Sequence, residues 1–63
     1  MKGKEIELGD IVIINESYSQ KLIGKLGLVV DIEEHWIIKV LVFDTDEIHE
    51  TARYKLIKQG KTL

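Results

Sequence analysis

Short apolar blocks, most of them β-branched, recur along this chain between polar and glycine-containing breaks. Gly9-Asp10 marks a turn, and Ile11-Val12-Ile13-Ile14 then predicts a strand that Asn15 closes. Residues 16–25 are polar apart from Leu22 and Ile23, and read as a long loop. Leu26–Ile32 predicts a second strand, with Gly27 near its start as a sign of a bulge or a close backbone approach. After a polar connection at Glu33-Glu34-His35, Trp36–Phe43 is the strongest strand signal, broken only by Lys39. Asp44–Glu47 is a turn, and Ile48–Ala52 alternates weakly, as an edge strand does. Arg53-Tyr54-Lys55 predicts a single 3₁₀ turn, and Leu56-Ile57-Lys58 a short closing strand. A competing helix over 47–58 would have Asp46 as its N-cap, but Ile48, Ala52, Tyr54 and Ile57 give it only a thin apolar stripe.

Five short strands with one long loop, in 63 residues, fit a small, strongly bent, partly open barrel better than a sandwich, which needs more strands. The expected fold is thus all-β, one domain over residues 1–63, with residues 1–7 and 59–63 frayed at its ends. Composition agrees. Ile and Val number 15, three Thr raise the β-branched total to 18, and Ala occurs once. The expected core is Val12, Ile14, Val29, Ile32, Ile38, Val40, Val42 and Leu56. A chain this small is marginally stable, so most apolar side chains are expected to enter one core, with few left for a binding surface. An oligomer would ease that balance.

Charge is uneven. Residues 31–52 carry a net −6 and residues 53–63 a net +4, within a total of −2. Such segments either neutralise each other within the barrel or form opposed patches. There is no cysteine, which removes disulfides, thiolate metal sites and thiol nucleophiles. The start, Met1–Glu5, has mixed charge rather than an apolar run, and no apolar stretch is long enough to span a bilayer. No membrane contact and a cytoplasmic location are therefore expected.

Residues 24–32, Gly-Lys-Leu-Gly-Leu-Val-Val-Asp-Ile, resemble the KOW motif: Gly-Lys, any residue, Gly, any residue, Val, then apolar, polar, apolar. Gly9-Asp10-Ile11-Val12 resembles the Gly-Asp-x-Val strand that commonly precedes it. The resemblance covers Gly9–Ile32 and implies an SH3-like barrel. In such a barrel Gly24 and Gly27 permit positive φ and close strand crossing, and Val29 and Ile32 belong to the core. It also implies contact with RNA or protein. The basic KOW families carry more Lys and Arg than this chain. The adjacent tryptophans and the Ala-Leu-Tyr-Asp-Tyr-like stretch of signalling SH3 domains are missing.

Candidate chemistry is sparse. His35 and His49 each adjoin a glutamate but lack the further ligands a metal site needs. They read as an exposed turn histidine and an exposed edge-strand histidine. Asp44-x-Asp46-Glu47 reads as an ordinary acidic turn. Ser17 and Ser19 have no nucleophile elbow, and Gly24-Lys25 lacks the rest of a P-loop. No enzyme activity and no cofactor are expected. The candidate contact residues are the aromatics Tyr18, Trp36 and Tyr54 with the cations Lys21, Lys25, Arg53 and Lys55. The leading expectation is an adaptor docking on a protein partner through the long loop, Trp36 and a sheet edge. A second is a nucleic-acid contact, with Lys21, Lys25, Arg53 and Lys55 on phosphates and Tyr18 or Trp36 stacking on bases. A third is a structural subunit of a larger assembly.

Overall fold

A computed structural model of the chain describes residues 6–61. It holds five strands: β1 Asp10–Ile14, β2 Leu26–Glu33, β3 Ile37–Val42, β4 Glu47–Ala52 and β5 Leu56–Lys61. Two 3₁₀ turns, Gln20–Leu22 and Arg53–Lys55, interrupt the connections. The strands form one antiparallel sheet in the order β4-β3-β2-β1-β5, compatible with an SH3-like fold. The sheet does not close, so β4 and β5 are its edges. The stretch weighed as a helix over 47–58 is instead β4, the second 3₁₀ turn and the start of β5.

The core is Ile6, Val12, Ile14, Val29, Ile38, Val40, Val42 and Leu56. Seven of these were expected. Ile32 packs against the core but is only partly buried. The register of β2 on β3 shifts between Val29 and Asp31, leaving Val30 as the extra, exposed residue. That bulge returns Ile32 to the inner face opposite Ile38, near the end of the ladder where cover is thin. The bulge thus falls at Val30 and not at Gly27. Gly27 has the other role expected of it, a close approach: a Cβ there would overlap Cγ1 of Val40.

Residues 6–7 and 59–61 are more ordered than the sequence predicts. Ile6 is buried, and Asp10 makes the turn that brings it in. The Asp10 N–H donates to the Glu7 carbonyl oxygen (3.1 Å), while Oδ2 of Asp10 accepts from the Glu7 N–H (2.8 Å). Gly9 takes the third turn position at φ +86°, a left-handed backbone that favours glycine. The Asp10 carboxylate is fully buried, and Nζ of Lys58 lies 3.3 Å from its Oδ2. A buried carboxylate needs such a counter-charge and donors. This is the local physics of the Gly-Asp pair. At the other end β5 continues to Lys61, where fraying from Gln59 was expected. A register shift on β1 lets Gly60 face Ile11 and Lys61 face Asp10, and this pairing holds a segment that lacks strand propensity. Residues 1–5 and 62–63, also expected to fray, lie outside the described ones.

Trp36, expected to begin a strand, instead completes the β2–β3 turn. Glu34 and His35 precede it at φ +49° and +69°, and the Trp36 N–H donates to the Glu34 carbonyl oxygen (2.6 Å). Few apolar side chains were expected at the surface, yet among the described residues ten large ones are exposed, Leu26, Phe43, Ile48 and Ile57 among them. Alternation exposes Leu26, Ile48 and Ile57 and the bulge exposes Val30, while the other six stand in turns and loops. A strand such as Asp-Ile-Val-Ile-Ile points Val12 and Ile14 inward and must point Ile11 and Ile13 outward.

Candidate functional site

The long loop between β1 and β2 is tied at both its base and its tip. Across the base, the Ile14 N–H donates to the Lys25 carbonyl oxygen (3.0 Å) and the Gly24 N–H to that of Ile14 (2.7 Å). Gly24 sits there at φ +89°. The Asn15 N–H donates to the Lys55 carbonyl oxygen (2.8 Å), fastening the loop to the second 3₁₀ turn. Within the loop, Oγ of Ser17 accepts from the Ser19 N–H (3.2 Å), and Leu22 anchors the first 3₁₀ turn on the core. Tyr18 is left standing at the tip.

Opposite the loop stands β4. Its register on β3 pairs Glu47 with Val42, His49 with Val40 and Thr51 with Ile38. Those three partners are core residues, so the side chains of Glu47, His49 and Thr51 face the same concave side of the sheet. Between loop and strand runs an open groove of about 560 Å³. Ile14 and Val40 line it, with Tyr18 on the loop side, Glu47 and His49 on the β4 side, and Trp36 where the β2–β3 turn meets it. Tyr18 is 99% exposed and Trp36 54%. Lys21 and Lys55 supply positive charge on the loop side and Glu47 negative charge on the β4 side.

Four of the seven candidate contact residues therefore meet at one place: Tyr18, Lys21, Trp36 and Lys55. Nζ of Lys55 lies 4.9 Å from the centroid of the Tyr18 ring and 5.9 Å from that of Tyr54, so Tyr54 flanks the groove through this lysine. The other two cations are engaged elsewhere. Nζ of Lys25 pairs with Oδ2 of Asp44 at 2.6 Å. This hydrogen bond, reinforced by the lysine's charge, holds the Asp44 carboxyl below its ordinary range. Arg53 donates through Nε (2.8 Å) and Nη2 to the His35 carbonyl oxygen, and through Nη1 (2.8 Å) to that of Ile6. Its guanidinium is an internal clamp between the N-terminal segment and the β2–β3 turn.

Sequence reasoning missed the β4 contribution. His49 was expected to be exposed, but it is half-buried, and its buried Nε2 lies 3.4 Å from Oε1 of Glu47. The available signal was the period of two: fixing Val40 as core and pairing it with His49 sends the imidazole inward. Among the described residues no group of three or more His, Asp or Glu is arranged to hold a metal ion. Among them, too, no helix is long and apolar enough to cross a membrane. Comparisons with protein families, with curated proteins and with solved structures return no match to this chain.

Proposed function

We infer that this chain is a non-enzymatic binding module, an SH3-like barrel of KOW type, whose groove between the β1–β2 loop and β4 receives an extended segment of a protein partner. The observation that carries this reading is the pair of exposed aromatics, Tyr18 and Trp36, bordering a groove that reaches the apolar Ile14 and Val40. Exposed aromatic side chains beside an apolar cleft are the usual anchors of a modest protein interface. The KOW assignment is supported by Gly24 and Gly27, which stand where the motif needs them: one at positive φ, the other with no room for a side chain. The Glu47 carboxylate on the β4 side of the groove favours a peptide over a phosphate backbone. The engagement of Lys25 and Arg53 points the same way, because it removes two of the four cations a nucleic-acid contact would use.

Trp36 is the sole tryptophan, so its fluorescence reports on the groove. Panning a random peptide display library on the wild-type chain should enrich peptides that shift this emission and that Trp36→Ala, read by polarisation of the labelled peptide, no longer holds. Titration with a single-stranded oligonucleotide at low salt should leave the emission unchanged. An oligonucleotide that quenches Trp36, with affinity falling steeply as salt rises, would replace this reading with nucleic-acid binding.

A further inference from the structure

The two open edges of the sheet are not alike. β5 is broken by a register shift against β1 and by Gly60. β4 pairs with β3 over all 6 of its residues without a shift, and it holds no proline, glycine or lysine. Bulges, prolines and lysines are the devices that keep a sheet edge from taking up another strand. The free side of β4 can be assigned residue by residue. The Arg53 N–H donates to the Trp36 carbonyl oxygen (2.8 Å), and on the far side of β3 the Phe43 N–H donates to that of Leu26 (3.1 Å). Hydrogen bonding alternates along an antiparallel pair, so both contacts turn the N–H and C=O groups of Glu47, His49 and Thr51 toward β3. Those of Ile48, Glu50 and Ala52 point outward from the edge, and among the described residues no strand pairs with that side. The groove reaches them. Its lining takes in Glu50 and Ala52 beside His49 and Thr51, although the side chains of the first two lie on the opposite face, with those of Lys39 and Ile37. The cleft therefore wraps over the backbone edge of β4.

We propose that the groove's occupant is a basic extended segment of a protein partner and that it binds as a sixth strand, its backbone laddered onto Ile48, Glu50 and Ala52. This rests on the groove reading above and adds to it the mode of attachment and the charge of the occupant. In such strand addition the main-chain hydrogen bonds supply affinity and alternate side chains supply selectivity. Charge selects the occupant. Asp46 precedes β4, Glu47 and Glu50 lie on it, and the strand holds no lysine or arginine. On the β3 side Glu50 opposes Lys39, whose ammonium is bound to Glu33 (2.9 Å). A lysine or arginine directly across the new ladder supplies a counter-charge on the other flank of Glu50. That position lies on the face away from Lys21 and Lys55, which stand across the groove on the loop side. The same charges disfavour a second copy of this chain. Pairing β4 with itself would set two strands that each carry Glu47 and Glu50 at a spacing of about 4.8 Å.

Residue-resolved amide exchange of the full chain, with peptides panned from the display library as the probe, tests the proposal. In the free chain, exchange should be slow at His49 and Thr51 and fast at Ile48, Glu50 and Ala52. A panned peptide should slow exchange at these last three at least tenfold. The panned peptides should be enriched in lysine and arginine. N-methylation at alternate backbone nitrogens of one such peptide should weaken it at least tenfold, and methylation of the intervening nitrogens should not. Glu50→Lys should weaken binding at least tenfold while keeping the wild-type far-ultraviolet dichroism. A peptide that shifts Trp36 emission but leaves the three amides fast overturns the sixth strand and leaves the groove reading standing. So does a methylation scan without alternation, or enrichment of acidic peptides. A library that enriches nothing overturns both. Protection of the three amides that rises with chain concentration and needs no peptide assigns the edge to a second copy and overturns the proposal.

Discussion

Gly27 and Val40 approach so closely on neighbouring strands that a Cβ on the glycine would overlap Cγ1 of the valine and stand 2.9 Å from the Leu41 carbonyl oxygen. Val40 is fully buried and its branched side chain is stiff, so neither neighbour can give way cheaply. Gly27→Ala should therefore destabilise the fold by about 1–3 kcal/mol, the ordinary cost of overpacking. Gly24→Ala is the contrast. Nothing lies within 4 Å of a Cβ there, so only its φ of +89° resists the substitution. A loss of about 1–2 kcal/mol is expected from that backbone alone. In urea melts the two should also part by suppression: Val40→Ala restores part of the loss in Gly27→Ala and none in Gly24→Ala.

Arg53 joins segments that are distant in the chain, because its guanidinium spans from the Ile6 carbonyl oxygen to that of His35. Arg53→Ala leaves both carbonyls short of a charged donor and should cost about 2–4 kcal/mol. Arg53→Lys should recover less than half of this, since a single compact ammonium nitrogen cannot span the separation that Nε and Nη2 on one side and Nη1 on the other cover. Amide exchange at the turn residues Glu7 and Gly9, whose N–H groups donate to Asp10 Oδ2 and the Val29 carbonyl oxygen, should quicken in both variants while the β2–β3 ladder stays protected. If exchange quickened equally throughout, the clamp would be no local device.

The β2–β3 turn places Glu34 and His35 in the left-handed region without a glycine. The His35 contact with Arg53 runs through its backbone oxygen, which any residue supplies. His35→Gly should thus keep the clamp and relieve the strained φ, stabilising the chain by about 0.5–1 kcal/mol. A rise in melting temperature with unchanged denaturant slope is the expected readout. A fall would mean that the imidazole itself contributes to the turn.

Two surface ion pairs give opposite pH signatures. The hydrogen bond and charge of Lys25 lower the Asp44 pKa from its ordinary 3.8. That stabilisation is complete above 3.8 and is lost as pH falls through the lower folded value. Hydrogen bonding to Glu33, and that group's charge, raise the Lys39 pKa from 10.5. Its contribution is complete below 10.5 and disappears as pH rises through the higher folded value. In stability measured against pH, Asp44→Asn should flatten the acid limb alone and Lys39→Met the alkaline limb alone. Both effects should shrink at high salt, because the pairs are exposed.

Much of the architecture is legible in the chain. The run from Ile37 to Val42 alternates cleanly, and its inward set, Ile38, Val40 and Val42, is the set period-two reading assigns. The Arg-Tyr-Lys 3₁₀ turn and the edge position of β4 were readable too. What escaped depends on pairing at a distance. Ile6 is drawn into the core by a turn whose carboxylate meets Lys58 from β5, and neither residue announces the other. Gln59–Lys61 form strand because β1 offers a partner, not because their side chains favour it. The same holds for the candidate site. Tyr18 and Trp36 stand out in the sequence as isolated aromatics, but the wall of Glu47, His49 and Thr51 exists only once β4 has a register on β3. The outward rows of Ile and Leu were hidden by composition, which counts an isoleucine as apolar without saying which side of the sheet receives it.

Because β1 lies between β2 and β5, the earliest strand to be synthesised waits for the latest. During folding the local meander of β1 to β4 can assemble first, holding one flank of β1 bare until Leu56–Lys61 pair with it. For that interval the folding chain exposes a template for pairing with any passing extended segment.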